Sequence, residues 1–147
     1  MLLDPPPPGS PEDWLRHARS DLALAQQRHD PAILLATLCF HLQQTAEKSL
    51  KAVLVQHGGA FPYTHDLARL ITLVKGTGLS WPEDLDAAAA LTEYAVGSRY
   101  PGSGGEVTEE EYRQATALAQ RVLEWAQKMV CRQIGDEEEG GALEDRG

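Results

Sequence analysis

Apolar positions in this chain recur every three to four residues, and no useful stretch alternates with period two. That spacing belongs to helices packed by one face, so it predicts an all-α fold. Ser10-Pro11-Glu12-Asp13 reads as a helix start, with serine as N-cap, proline at the first helical position and acids in the first turn. Trp14, Ala18, Leu22 and Ala25 then share a face, which predicts a first helix to about Arg28. Asp30-Pro31 repeats the start signal, and a second helix is predicted from Pro31 to His57, stopped by Gly58-Gly59. Thr64 is placed to cap a third helix from His65 to about Lys75, ended by Gly76 and Gly78. Ser80-Trp81-Pro82-Glu83 fits a capping box, predicting a fourth helix to about Val96. A turn-rich loop, Gly97–Gly105, precedes Thr108-Glu109-Glu110-Glu111, a second capping box. It opens a last helix through Tyr112, Ala115, Leu118, Ala119, Val122, Ala126, Met129 and Val130. Short loops favour antiparallel neighbours, hence an up-and-down bundle of four to five helices.

The second helix carries polar groups that a buried helix would have to satisfy. At about 100° per residue, Leu35, Leu38, Cys39, Leu42, Ala46, Leu50 and Val53 form a core stripe. Opposite lie Ile33, Thr37, Phe40, Gln44, Lys48, Lys51 and Val55, with Glu47 beside them. This outward stripe is polar at its centre and apolar at both ends. It therefore predicts a surface that meets another helix, another subunit or a ligand, with Ile33, Phe40 and Val55 at a dimer interface.

Composition sets the limits of this picture. With 147 residues, 42% hydrophobic and 24% charged, the chain suits one domain with a real core. The division expected is a proline-rich lead-in over 1–9, a bundle over 10–135 and a disordered acidic tail over 136–147. That tail holds six acids and one base, so it supplies five of the nine net negative charges. The remainder is mildly acidic, which argues against a broad nucleic-acid surface. Cys39 and Cys131 lack metal or redox spacing and are expected to be buried thiols of a cytoplasmic protein. No basic-then-apolar leader opens the chain, and no apolar run reaches the roughly 20 residues that span a membrane.

The candidate chemistry is sparse. Lys48 and Lys51 are able to hold phosphate with Gln44 reading a base or ribose, or to pair with acids such as Glu47 and Glu93. His65, beside Asp66 at a helix start, either meets a ligand or ties its loop to the bundle. Arg99 and Tyr100 lie in the glycine-rich loop, where an arginine fork suits phosphate and a tyrosine ring suits a base; the alternative is pairing and packing at the bundle's end. His41 is expected to pack at the core or an interface, and His17 and His29 to lie on the surface. No pair of histidines shares a helical face at ligand spacing, so neither metal nor cofactor is predicted. Gly102, Gly104 and Gly105 follow a turn rather than a strand, which excludes a phosphate-cradling loop of the usual types.

Three segments together carry a family resemblance: Phe40-His-Leu-Gln-Gln-Thr-Ala-Glu-Lys-Ser-Leu-Lys51, Thr64-His-Asp-Leu67 and Ser98-Arg-Tyr-Pro-Gly102. In this order, from about Trp14 to Ile134, the chain resembles a HEPN domain (higher eukaryotes and prokaryotes nucleotide-binding). The resemblance implies a small helical bundle that usually dimerises and commonly works beside a minimal nucleotidyltransferase. No signature of that enzyme is present, so such a partner would be a separate polypeptide. Many members of the family are metal-independent ribonucleases with an arginine followed, after four to six intervening residues, by a histidine. Here no histidine follows Arg99, and no other arginine has one at that spacing. The expectation is a non-catalytic module binding a nucleotide through Gln44, Lys48, Lys51, His65, Arg99 and Tyr100, in a toxin–antitoxin-like pair. The alternatives are a divergent ribonuclease using Arg99 and His65, and a purely structural dimeric adaptor.

Overall fold

In the computed structural model, residues 4–95 and 105–144 are described, with side chains through residue 131. Among these residues the chain is all helical: α1 (Pro11–Ala25), α2 (Leu35–Gln56), α3 (Leu67–Gly76), a 3₁₀ helix (Glu83–Tyr94) and α4 (Glu109–Glu144). The backbone of α4 continues past the end of the apolar pattern near Ile134. No helix among the described residues is long and apolar enough to cross a membrane.

Each helix start shows which local signal prevailed. Ser10 accepts a hydrogen bond from the Asp13 amide at 3.2 Å and opens α1 as predicted. Thr108 accepts from the Glu111 amide at 3.1 Å and opens α4. Asp30-Pro31 does not start α2. The Asp30 carboxylate accepts from the Ala32 amide, and its carbonyl accepts from Ile33, so the segment closes into a turn of its own. The helix begins four residues later, at Leu35, and Ile33 packs against the core from that turn rather than from a helical stripe. Likewise α3 starts at Leu67, with Asp66 as its cap bonding the Ala68 amide at 3.0 Å. Thr64 caps the Asp66 amide instead, which leaves His65 outside the helix.

The Ser80–Glu83 capping box does not form: Pro82 occupies the N-cap and makes no side-chain bond. The segment after it is 3₁₀ because its buried residues, Leu85, Ala88 and Leu91, recur every third position. At three residues per turn they form one straight ridge against the core. The Ser80 carbonyl is used from the other side, accepting from the Trp125 indole at 3.0 Å. Trp125 meets Trp81 edge-on, at 4.8 Å between ring centres.

α2 is the axis of the bundle, with α1 and α4 its principal neighbours and α3 and the 3₁₀ helix closing the remaining sides. Leu38, Cys39, Leu42, Ala46, Leu50 and Val53 are buried as the core stripe predicts. The outward face is corrected in part. Gln43, Glu47 and Lys51 are also buried, because neighbours surround α2 on more than one side. No buried polar side-chain atom lacks a hydrogen-bond partner among the described residues. Gly58, at φ 69°, turns the chain out of α2, a left-handed conformation that glycine adopts without penalty. Cys131 is exposed while Cys39 is buried, so only one of the two thiols fits the expectation of burial.

Candidate functional site

Gln43, Glu47 and Lys51 follow one another at four-residue intervals, so they line one edge of α2. Facing that edge is the strap 57–66, which joins α2 to α3. The Glu47 side chain is only 4% exposed and accepts three bonds. Gln43 donates to Oε1 at 3.1 Å, His65 Nδ1 lies 2.7 Å from the same oxygen, and Lys51 Nζ donates to Oε2 at 3.0 Å. Burial would raise the Glu47 carboxyl, but these bonds and the Lys51 charge together hold it below the ordinary glutamate value. It is therefore a carboxylate that can only accept, and the proton between it and His65 sits on Nδ1.

The strap is held at two points. His65 is the first, since its carbonyl also accepts from Gln43 Nε2 at 3.1 Å. Phe61 is the second: Lys51 Nζ lies 5.2 Å from the centre of its ring and 5.6 Å from that of Trp14. The two rings meet edge-on at 5.6 Å. A buried ammonium between two aromatic faces and a carboxylate has its charge fully answered within the fold. Between the two pins Tyr63 is 95% exposed, its ring 6.1 Å from that of His65. The His65 side chain is itself 49% exposed. Nδ1 faces the interior, and Nε2 is the ring nitrogen left for solvent or a ligand.

The other predicted residues lie elsewhere. Lys48 pairs with Asp21 of α1 at 2.6 Å, rather than with Glu47 or Glu93. His41 Nδ1 is 3.0 Å from the second oxygen of the same carboxylate. Gln44 donates to Gln43 Oε1 at 2.7 Å and so buttresses the Glu47 cluster from behind. The structure thus gives Gln44, Lys48 and Lys51 internal partners, and of the predicted ligand set it brings His65 to the surface. Arg99 and Tyr100 lie outside the described residues. Of the predicted dimer residues, Phe40 is 40% exposed, Val55 is partly exposed and Ile33 packs on the core. Tyr63 and Gln43 were missed by sequence reasoning. Gln43 had a signal, its four-residue spacing to Glu47, whereas nothing local marks Tyr63.

A recess of about 160 Å³ lies between the 3₁₀ helix and α4, where Tyr94 donates to Glu111 at 3.2 Å. Burial, with Cys39, Glu93 and Glu111 nearby, pushes the Tyr94 phenol far above its ordinary range, so it stays protonated as a donor. Among the described residues no group of three or more histidines, cysteines or acids is placed to hold a metal ion.

Comparison with known proteins agrees with this architecture. The family model of the HEPN domain matches residues 11–129. TT1696 from Thermus thermophilus is 30% identical, with a TM-score of 0.68. ST0689, an archaeal HEPN homologue, is 26% identical, with a TM-score of 0.65. Each comparison covers 82% of this chain and 98% of the other. No curated protein matches the chain. A helical bundle of this order, matched over most of its length, makes the chain a member of the HEPN domain family.

Proposed function

We propose that this HEPN domain is a non-catalytic module that binds a nucleotide or nucleotide-bearing substrate. It works in the cytoplasm as a homodimer, as partner to a separately encoded minimal nucleotidyltransferase in a toxin–antitoxin-like pair. The observation that supports binding is the anchored His65, half exposed and backed by a buried carboxylate, beside the uncovered ring of Tyr63. A fixed hydrogen-bonding edge next to a free aromatic face suits a base attached to a sugar. The non-catalytic reading rests on the sequence, where no arginine is followed by a histidine at the ribonuclease spacing. Arg99 and Tyr100 complete the proposed ligand set.

Calorimetry with the four ribonucleoside triphosphates and a short RNA tests the binding. Heat with at least one probe, reduced in Tyr63→Ala and His65→Ala, is the expected result. Absence of heat with all of them removes the nucleotide from the proposal. Co-expression with a minimal nucleotidyltransferase found beside this reading frame tests the partnership, and failure to co-purify removes it.

The Glu47–His65 pair favours a second reading, a divergent ribonuclease. A carboxylate-oriented imidazole is a competent general base toward a ribose hydroxyl. Cleavage of total RNA, abolished by both His65→Ala and Arg99→Ala, would establish it in place of the first.

A further inference from the structure

Resting on the nucleotide-binding reading above, we infer that Tyr63, His65 and Arg69 form one subsite for a single ribonucleotide unit. Its base lies on Tyr63, its 2′-hydroxyl donates to His65 Nε2, and its phosphate meets Arg69. Three observations lead there, each independent of the others.

The first is polarity. Nδ1–H of His65 is committed to the charged Glu47 carboxylate, so in the neutral ring Nε2 is an acceptor. Glu47 cannot turn away to release it, being held by Gln43 and Lys51 as well. A ligand at this edge must therefore bring a donor. A ribose 2′-hydroxyl supplies one, and a deoxyribose lacks it. The second observation is the uncovered ring. Tyr63 sits between the two fixed points of the strap, so the strap holds its backbone while its ring meets solvent.

The third is an unanswered charge. Arg69 is exposed and makes no ion pair or hydrogen bond among the described residues. It stands on the third residue of α3, and side chains in a helix lean toward its N-terminus. That position puts Arg69 in the first turn of α3, four residues after His65 and at the end of the helix that the strap enters. The acid between them, Asp66, has its carboxylate turned onto the Ala68 amide. The surroundings therefore leave Arg69 available for a phosphate.

The test is titration by calorimetry at pH 8. The probes are AMP, 2′-deoxy-AMP, adenosine, and six-residue oligoadenylates of RNA and DNA. AMP should bind about 3- to 10-fold more tightly than its deoxy form, the worth of one hydrogen bond. It should also bind about fivefold more tightly than adenosine, and Arg69→Ala should erase that second difference alone. Tyr63→Ala should weaken every probe by at least about fivefold. Tyr63 and Arg69 are exposed and make no bond that the fold needs, so neither change threatens folding. Equal affinity for ribo- and deoxy-forms, or a phosphate preference that survives Arg69→Ala, overturns the subsite while leaving nucleotide binding in place. Failure of all five probes overturns the subsite, and the nucleotide reading falls with it when the four ribonucleoside triphosphates give no heat either. An RNA hexamer that binds more tightly than AMP makes the natural ligand a strand, and equal binding makes it a free nucleotide; the subsite holds in either case.

Discussion

Lys51 and His65 meet on opposite oxygens of one buried carboxylate, with Lys51 Nζ 3.0 Å from Glu47 Oε2 and His65 Nδ1 2.7 Å from Oε1. One is a ligand-like lysine turned inward, and the other carries the same network out to the surface. Much of the behaviour expected of the protein follows from this shared acid.

Replacing Glu47 by alanine leaves the Lys51 ammonium buried without a counter-charge and deprives Gln43 and His65 of an acceptor. Urea unfolding should show a loss of about 3 kcal/mol. The double change Glu47→Leu with Lys51→Met removes both charges and should recover most of it. A double variant no more stable than the single one would show that the pair, rather than the orphaned charge, sets the cost.

The same acid makes stability depend on pH in a defined sense. Its folded carboxyl is held below the ordinary value of 4.5, so as pH falls the unfolded chain takes up the proton first. The contribution is complete above that value and is lost as pH falls through the lower folded one. Unfolding measured between about pH 5 and pH 3 should be steeper for the wild type than for Glu47→Gln. Parallel curves would contradict the assignment.

Tyr112 of α4 donates its hydroxyl to the Ala25 carbonyl at 2.8 Å, and the Arg28 guanidinium lies 4.7 Å from the centre of its ring. Arg28 also pairs with Glu109, so the end of α1 is fastened to the start of α4. Tyr112→Phe keeps the ring and loses the buried bond. A destabilisation of about 1 kcal/mol is expected in thermal or chemical melts.

The two capping-box segments differ, and mutation should reveal it. Thr108 accepts from the Glu111 amide, so Thr108→Ala should cost about 1 kcal/mol. Ser80 contributes its carbonyl to Trp125 while Pro82 holds the cap position, so Ser80→Ala should stay within about 0.5 kcal/mol. Equal losses would mean that Ser80 caps the helix after all.

If the proposed homodimer uses the Phe40 face, Phe40→Glu should shift the mass measured by light scattering from dimer to monomer, with unchanged helicity. An unshifted dimer would move the interface to another surface.

Local chemistry was a good guide wherever one residue's own side chain settles the outcome. Ser10 and Thr108 cap as expected, and the glycine pair after His57 ends α2. It misled where two local signals compete. Asp30 has the residues of a helix start but closes its own turn, and Ser80 loses to a three-residue ridge formed by Leu85, Ala88 and Leu91. His65 was singled out from sequence as either a ligand group or a clamp. Its position just before the Asp66 cap allows the clamp and still presents a ring edge.

By itself the order of residues determined the helical class, the core stripe of α2 and the family motifs, because periodicity and turn chemistry act over a few neighbouring positions. Only the tertiary structure decided which polar face of α2 meets water. Glu47, Lys48 and Lys51 share a stretch of helix that sequence assigns to one outward strip. Yet Lys48 turns to Asp21, while Glu47 and Lys51 vanish beneath Trp14, Phe61 and the strap. Helical spacing gives an angle around the axis, and burial depends on how many neighbours surround it. Those neighbours come from positions 10 to 37 residues away, beyond the reach of a pattern read within one helix.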